Sequence, residues 1–215
     1  MNGGCESRHG LSDLLVAGKK ATMRIGVVIG SVREGRKGVQ VGAWIAGLAR
    51  QSIAGEVEIL DLKAFDLPVY HDAVLPSAAH KVYSDPRVTR WSEAVDGCDG
   101  FIFVTAEYNH GIPGAFKNAF DLLGPEWLRK PVAFVSYGAD SGVRAVEQWR
   151  PVVAALQMFG VRAQVSASTF AEFKDGKFTP NDRRKAQAET LFTQLTRAIR
   201  AVELLREDDA RRTSQ

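Results

Sequence analysis

A glycine-rich, basic segment at residues 30–38, called the first loop below, has the composition of a phosphate-binding loop. It reads Gly-Ser-Val-Arg-Glu-Gly-Arg-Lys-Gly and leads directly into a segment with helical periodicity. Glycines let a ligand approach the backbone, the start of a helix presents unpaired N–H groups, and Ser31 adds a hydroxyl. Arg33, Arg36 and Lys37 stand where the helix dipole is already positive, which costs about 0.3–1 kcal/mol per charge unless an anion binds there. The alternative is a basic turn whose side chains simply reach water.

The residues around these glycines exclude two common nucleotide motifs. A Walker motif requires Gly-Lys-Ser/Thr, whereas Gly35 is followed by Arg36 and Lys37, which leaves no hydroxyl to hold magnesium. The dinucleotide fingerprint GxGxxG is also absent, because Gly26 and Gly30 lie inside or at the end of a strand-like run. The predicted ligand is therefore a mononucleotide phosphate held by a hydroxyl, arginines and backbone amides.

Two further segments combine glycine with side chains that could contact a ligand. The second loop, residues 105–114, reads Thr-Ala-Glu-Tyr-Asn-His-Gly-Ile-Pro-Gly, and the third loop, residues 136–142, reads Ser-Tyr-Gly-Ala-Asp-Ser-Gly. Glu107 is a candidate general base, although a lone carboxylate in a loop is usually solvated. Tyr108 is either a ligand contact or an anchor that packs on the surface.

Five short apolar runs predict the strands that position these loops. They occupy residues 24–30, 57–62, 101–104, 132–135 and 161–165, and most are far enough apart for a helix between them. Strands that alternate with helices indicate a parallel sheet with helices on both faces. Ligands bind such sheets beyond the carboxyl ends of the strands, which is where the three loops begin.

Proline and glycine mark the limits of several predicted helices. Pro113 begins the helix that follows the second loop. A helix over residues 141–159 would contain Pro151, which predicts a kink or a break there, and Gly160 is placed to end it. The last helix is predicted to begin near Asn181.

Composition and charge describe an ordinary globular chain with a small-molecule partner. The chain has 215 residues, 45% hydrophobic and 25% charged, and a net charge of +3. Both signs of charge are spread along it, and no apolar run approaches the roughly 18–20 residues that span a bilayer. We therefore expect a cytoplasmic protein that binds neither nucleic acid nor membrane. Cys5 and Cys98 make no disulfide framework, and His71, His80 and His110 lack metal-ligand spacing, so no metal is expected.

The predicted organisation is one folded domain between two extensions. Residues 1–22 are rich in small and polar types and are expected to be a flexible extension. Residues 23–203 form the domain, and residues 204–215 form a charged tail.

The second loop and the helix after it carry a family resemblance. The order of a strand, the pattern (P/A)EYNxxxPGxxKNAxD and a helix resembles the NADPH-dependent FMN reductase family, flavodoxin-like proteins that include quinone, azo-dye and chromate reductases. The resemblance extends over residues 24–200 and includes the Gly-Ser-x-Arg-x-x-Arg and Ser-Tyr-Gly motifs of the other two loops. Ala106 stands where the family commonly has proline, but contacts from the neighbouring amides do not require proline.

The resemblance implies a fold and a set of cofactor-binding residues. The fold is a flavodoxin-like three-layer α/β sandwich with a five-stranded parallel sheet in the order 2-1-3-4-5. The residues fall into a phosphate group (Ser31, Arg33, Arg36), a group lining the isoalloxazine largely through its backbone (Thr105, Ala106, Glu107, Tyr108, Asn109) and a group at its pyrimidine side (Ser136, Tyr137, Gly138).

The resemblance also implies an activity. FMN is the expected cofactor and NADPH or NADH the co-substrate, with hydride passing from the nicotinamide C4 to the flavin N5. A quinone, free flavin or other small acceptor would then bind over the same ring face, which predicts ping-pong kinetics without a catalytic side chain. A homodimer or homotetramer is also expected, in which Trp91, Trp127 and Trp149 are either exposed anchors or core residues.

Three other interpretations remain open from the sequence. One is a narrower azo-dye or chromate reductase. Another is a flavodoxin-type electron carrier that serves a protein partner, although flavodoxins are generally acidic and this chain has a net positive charge. The third is a flavin-free module that keeps the fold without the chemistry.

Overall fold

Five parallel strands form a central sheet whose carboxyl ends all lie along one edge. The computed structural model describes residues 22–213. The strands are β1 (Arg24–Ile29), β2 (Glu56–Asp61), β3 (Gly100–Ala106), β4 (Pro131–Gly138) and β5 (Phe159–Ser168). Their order in the sheet is β2-β1-β3-β4-β5, and every neighbouring pair is parallel. The strand order expected of a flavodoxin-like sandwich is confirmed.

Helices cover both faces of the sheet. One face packs against α1 (Gly38–Ser52) and α6 (Asp182–Thr213), and the other against α3 (Pro86–Asp96), α4 (Gly114–Asp121) and α5 (Val143–Ala155). A single turn, α2 (Leu62–Phe65), follows β2 directly. Because both faces are covered, β3 is buried along its whole length and β4 along all but its last residue, which explains their continuous apolar runs.

All three candidate tryptophan anchors belong to the core. Trp91, Trp127 and Trp149 are fully buried on the α3–α4–α5 face, where they pack edge-on against phenylalanine rings and one another. The indoles of Trp91 and Trp127 donate to backbone carbonyls of α4, so burial leaves neither N–H unpaired. None of the three is exposed for contact with a second subunit.

The predicted limits of the helix over residues 141–159 are wrong. Helix α5 is shorter than predicted, and it continues through Pro151 for another turn because its apolar face is buried against the sheet. Gly160 lies within β5 rather than at the end of the helix. Helix α6 continues to Thr213, into the charged segment expected as a tail after residue 203, and that segment contains neither glycine nor proline.

A small hairpin was not predicted. It consists of β6 (Phe173–Lys174) and β7 (Lys177–Phe178), and its antiparallel strands pair Phe173 with Phe178. The Phe178 ring contacts Trp44 of α1 edge-on, so the hairpin packs on α1. Of the extension expected at residues 1–22, residues 1–21 lie outside the described part of the chain.

Candidate functional site

The first loop begins at a glycine whose position leaves no room for a side chain. The Gly30 N–H donates to the Val104 carbonyl at 3.0 Å, which holds the loop against the end of β3. A methyl group on Gly30 would lie 1.8 Å from Cδ1 of Phe116 on α4. The absence of a side chain therefore lets the start of the first loop and the start of α4 pack together.

Ser31 and Tyr108 join the first and second loops. Ser31 is almost fully buried, and its Oγ lies 2.6 Å from the hydroxyl oxygen of Tyr108, within hydrogen-bond distance. Tyr108 is 38% exposed, so the pair links the buried Ser31 to a side chain at the surface. The structure thus places two of the predicted cofactor-binding residues in direct contact.

Arg36 is the buried cation of the first loop, whereas Arg33 is exposed. The Arg36 side chain is 11% exposed, and its Nη2 lies 2.5 Å from Oδ2 of Asp61 at the end of β2. Its Nε is buried without a hydrogen-bond partner among residues 22–213. Arg33 donates only to the neighbouring Glu34 carbonyl in the described structure.

These features of the first loop fit a phosphate. An unpaired buried Nε requires an acceptor, since a buried donor without one costs about 1–3 kcal/mol. Helix α1 begins beside it, and its N-cap, Lys37, supplies no side-chain acceptor to the first N–H groups. The oxygens of a phosphate would accept hydrogen bonds from the Arg36 Nε, from the first N–H groups of α1 and from the hydroxyl of Ser31.

The second loop contains a tight two-residue turn. Tyr108 and Gly111 exchange backbone hydrogen bonds of 3.0 Å in both directions, and Asn109 and His110 between them have φ angles of 48° and 67°. Positive φ at both central residues is the type I′ arrangement, which asparagine tolerates better than most residues. Gln148 of α5 holds this turn, donating to the His110 carbonyl at 2.8 Å.

Glu107 forms an ion pair within the site. Its side chain is 8% exposed, and its carboxylate accepts the Arg144 backbone N–H at 2.9 Å and the Arg144 guanidinium at 2.6 Å. The Arg144 guanidinium also donates to Asp140 at 2.9 Å. These hydrogen bonds, to Glu107 first and Asp140 second, raise the pKa of Arg144 above its usual value. Glu107 thus links the second loop to the start of α5, which favours a positioning role over that of a free base.

The third loop is a compact turn between β4 and α5. The Ser136 hydroxyl donates to the Ser141 carbonyl at 2.7 Å, and the Gly138 carbonyl accepts the N–H of Ser141 at 3.2 Å and of Thr169 at 2.8 Å. Gly142 has a φ of 70°, and a methyl group there would lie 2.9 Å from the Tyr137 backbone. This turn brings the start of α5 back against the end of β4.

Thr105, Ala106 and Tyr137 occupy the ends of β3 and β4. Thr105 and Ala106 are buried, and Ala106 pairs with Tyr137 in the parallel register. The Tyr137 side chain does not lie at the surface of the third loop, because it is buried in the core on the α1–α6 face. The structure therefore brings all three loops together, with the Tyr137 ring beneath them.

Two contacts in the site were not predicted from the sequence. Asp61, the partner of Arg36, lies at the carboxyl end of the strand next to β1, so adjacency in the predicted sheet order could have indicated it. Arg144 and Glu107 are 37 residues apart, and no sequence pattern links them.

The histidines, acidic residues and Cys98 of the described chain form no further candidate site. Among residues 22–213, no group of three or more His, Cys, Asp or Glu side chains is arranged to hold a metal ion. Cys98 is buried, and burial raises the pKa of its thiol to about 11.

No helix in the described part of the chain is long and apolar enough to cross a membrane.

Comparisons with known proteins identify the family. Residues 23–172 match the NADPH-dependent FMN reductase family. The chain is 42% identical over 129 residues to an NAD(P)H-dependent FMN reductase of Nectria sp, which covers 58% of this chain and 64% of the relative. It is 30% identical over 133 residues to a quinone reductase of Pseudomonas putida, which covers 56% of this chain and 67% of the relative. The chain thus spans just under two thirds of the Nectria protein's length.

A solved structure agrees with the fold. The flavoenzyme FerB, an NAD(P)H:(acceptor) oxidoreductase from Paracoccus denitrificans, superposes with a TM-score of 0.64 at 19% identity, over 82% of this chain and 99% of FerB. The enzymatic class and the FMN and NAD(P)H requirement expected from the sequence agree with the names of these relatives. The match over residues 23–172 shows that this chain belongs to the NADPH-dependent FMN reductase family.

Proposed function

We propose that this protein is an FMN-dependent oxidoreductase that uses NAD(P)H to reduce a free flavin, a quinone or a similar small acceptor. The observation that carries the proposal is the unpaired, buried Nε of Arg36, which belongs to the same loop as the buried Ser31 and stands two residues before α1 begins. This cluster of donors lies at the carboxyl ends of β1 and β3, where the loops of the family motif meet. The names of the relatives support the same activity.

At the phosphate end, the hydroxyl of Ser31, the guanidinium of Arg36 and the first N–H groups of α1 would hold the FMN phosphate. Asp61 fixes the orientation of Arg36 through its Nη2 and leaves Nε free for a phosphate oxygen. Arg33, which is exposed, would supply a second positive charge from the surface. Charge-assisted hydrogen bonds of this kind are about twice as strong as neutral ones.

At the ring end, the backbone of the second and third loops would line the isoalloxazine. Residues 105–109 and 136–138 contribute mainly amides and carbonyls there, because Glu107 is committed to Arg144 and Thr105 is buried in β3. The redox chemistry is supplied by FMN when it is bound, with NAD(P)H as the two-electron donor and a flavin or quinone as the acceptor. The protein binds and orients the ring, while the exposed side of the loops admits the two substrates.

An anaerobic absorbance spectrum tests this function. The protein is reconstituted with FMN, separated from free flavin and measured before and after addition of NADPH. Bands of bound oxidised flavin at about 370 and 450 nm should appear and then bleach. Bands that persist with NADPH would indicate a flavodoxin-type carrier that a protein partner reduces. The absence of bands would contradict the assignment of all three loops.

We also propose a homodimer or a larger homo-oligomer. The segment of residues 66–85, between α2 and α3, carries large apolar side chains that are mostly exposed, namely Val69, Val74, Leu75 and Val82. Val74 and Val82 line the same surface cavity, and exposed apolar surface of this kind is typical of a protein–protein interface. Light scattering of the purified protein would test the assembly, and a monomeric mass would contradict it.

The cytoplasm is the proposed location, because the substrate NAD(P)H is available there. Fractionation of the producing cells tests this, and recovery in the membrane fraction would contradict it.

A further inference from the structure

Tyr137 connects the end of β4 to the first loop through the interior of the protein. Its backbone belongs to the third loop, but its side chain is only 5% exposed and packs in the core between the sheet and helices α1 and α6. Side chains alternate along a strand, so its neighbours Ser136 and Gly138 lie on the opposite face. The Tyr137 ring is therefore directed away from the place where the third loop would meet a flavin ring.

The hydroxyl of Tyr137 lies against the first residue of α1. A methyl group placed on Gly38 would be 2.6 Å from the Tyr137 oxygen and 3.4 Å from its Cζ. Glycine at position 38 thus leaves room for the hydroxyl to approach the start of the helix. This is the end of α1 whose N–H groups the first loop presents to a ligand.

The electrostatic surroundings agree with this position. Burial raises the pKa of Tyr137 to about 12, and the nearby Tyr108 hydroxyl adds to the increase. A hydrogen bond from Ser31 and the positive charges of Arg33 and Arg36 act in the opposite direction. The Tyr137 hydroxyl is therefore neutral at physiological pH and lies within interaction range of the residues that form the phosphate end of the site.

Donors are in excess at this place. Ser31 and Tyr108 share one hydrogen bond, the Arg36 Nε has no partner within residues 22–213, and the N-cap of α1 supplies no side-chain acceptor. The Tyr137 hydroxyl adds one more donor to this group, and an acceptor with several oxygens that binds among these donors would pair with them. A phosphate group, which has three terminal oxygens, meets that requirement.

We propose that the Tyr137 hydroxyl donates a hydrogen bond to the phosphate of bound FMN and thereby makes the site selective for the phosphorylated flavin over riboflavin. This proposal rests on the proposed function, because it assumes that the site binds a flavin. Tyr137 is then a specificity-determining residue at the phosphate end, and only its backbone lies near the ring.

Binding measurements with Tyr137→Phe test the proposal. The apoprotein is titrated with FMN and, separately, with riboflavin, and the dissociation constants are taken from flavin fluorescence. We expect the FMN constant to rise about tenfold, as for the loss of a hydrogen bond to a charged group. The riboflavin constant should stay within about twofold of wild type, since riboflavin has no phosphate. The dissociation constant of inorganic phosphate, measured by its competition with FMN, should rise by the same factor as that of FMN.

Tyr83→Phe is the control, since it removes the hydroxyl of a partly buried tyrosine, one that donates to Glu126 outside the site. It should leave the ratio of the FMN and riboflavin constants unchanged. Phenylalanine preserves the ring packing of Tyr137, and thermal unfolding of the apoprotein checks that the variant is folded. An unchanged FMN constant, or equal weakening of both flavins, would overturn the role of Tyr137. If wild-type protein binds neither flavin, the proposed function itself fails.

Discussion

The Glu107 carboxylate accepts both the backbone N–H and the guanidinium of Arg144, at 2.9 and 2.6 Å. A single side chain thus joins the second loop to the first residues of α5. The backbone contact also satisfies one of the N–H groups that a helix start leaves unpaired, which Gly142, the N-cap residue, has no side chain to do. Glu107 therefore fixes the distance between the two loops that would line the flavin ring.

Replacing Glu107 should loosen the site without removing a catalytic base. Glu107→Ala should lower the free energy of unfolding by about 1–2 kcal/mol, a value reduced because Arg144 is partly exposed. Glu107→Gln keeps an acceptor for the helix N–H and should cost less. With saturating FMN, the turnover rate of Glu107→Gln should stay within about threefold of wild type, whereas loss of a general base slows turnover about 100-fold or more.

Glu147→Gln is the control for these variants. Glu147 lies on α5, as Arg144 does, but its side chain is exposed and its ion pair with Arg150 spans 3.7 Å. It should change stability by no more than about 0.5 kcal/mol. If turnover instead slows by about 100-fold in folded Glu107→Gln, Glu107 takes part in the chemistry.

A methyl group at Gly30 should disrupt the contact between the first loop and α4. The Phe116 ring already occupies the required space, with its Cδ1 at 1.8 Å from the added carbon. Gly30→Ala should therefore lower the free energy of unfolding by about 1–3 kcal/mol or more, as for other overpacked cores. Chemical denaturation of the apoprotein measures the change.

Gly47→Ala provides the matched comparison. Gly47 lies inside α1, and a methyl group there would have no atom within 4 Å, so this variant should gain about 0.5–1 kcal/mol of stability. In the double variant Gly30→Ala/Phe116→Leu, the smaller side chain should recover part of the loss caused by Gly30→Ala. Equal effects of the two glycine substitutions would contradict the packing argument.

The sequence predicted the parts of the fold that depend on local pattern. Continuous apolar runs identified β1, β3 and β4, because strands buried on both faces must be apolar almost throughout. The runs that identified β2 and β5 contain polar residues, since these two strands lie at the edges of the sheet and are partly exposed. The Glu-Tyr-Asn motif identified the family, which the match over residues 23–172 confirms. The positions of the three loops followed from the strand order, since parallel strands end at one edge.

The sequence did not predict the features that depend on tertiary contacts. Pro151 is tolerated in α5 because burial of the helix outweighs a missing hydrogen bond, and no local rule measures that burial. The contact of Tyr137 with the first loop depends on the packing of β4 against α1. The β6–β7 hairpin is different, because its turn, Asp175 followed by Gly176, is a recognised hairpin signal and could have been found.

Two tyrosines with raised pKa values, the buried Tyr137 and the partly buried Tyr83, should make the apoprotein lose stability in strong alkali. The folded-state pKa of Tyr137 is raised to about 12 by burial, while that of an unfolded tyrosine is about 10. The neutral Tyr137 hydroxyl therefore makes its full contribution to the free energy of unfolding below pH 10. That contribution is lost as the pH rises from 10 to 12, at up to about 1.4 kcal/mol per pH unit. Burial and the Glu126 hydrogen bond also raise the pKa of Tyr83.

Denaturation curves between pH 9 and 12 check this prediction. Tyr137→Phe and Tyr83→Phe should each make the decline in stability less steep, and the double variant should show the smallest slope. Wild-type slopes in both single variants would show that neither hydroxyl has a raised pKa.

Gln40 should control the attachment of the β6–β7 hairpin to α1. Its side-chain amide donates to the Gly176 carbonyl at 2.8 Å and accepts the Phe178 N–H at 2.7 Å, which reproduces the paired bonds of a neighbouring strand. Gln40→Ala removes both bonds, so hydrogen exchange at the Phe178 amide should become at least about fivefold faster, as for the loss of roughly 1 kcal/mol of local stability.

Exchange followed by mass spectrometry measures this effect, and Gln51→Ala is the control. Gln51 lies near the other end of α1, is exposed, and forms none of the side-chain hydrogen bonds found within residues 22–213. It should leave exchange in the hairpin unchanged. The aromatic contact of Phe178 with Trp44 remains in both variants, so exchange that is equally slow in Gln40→Ala would assign the attachment to the rings rather than to the amide.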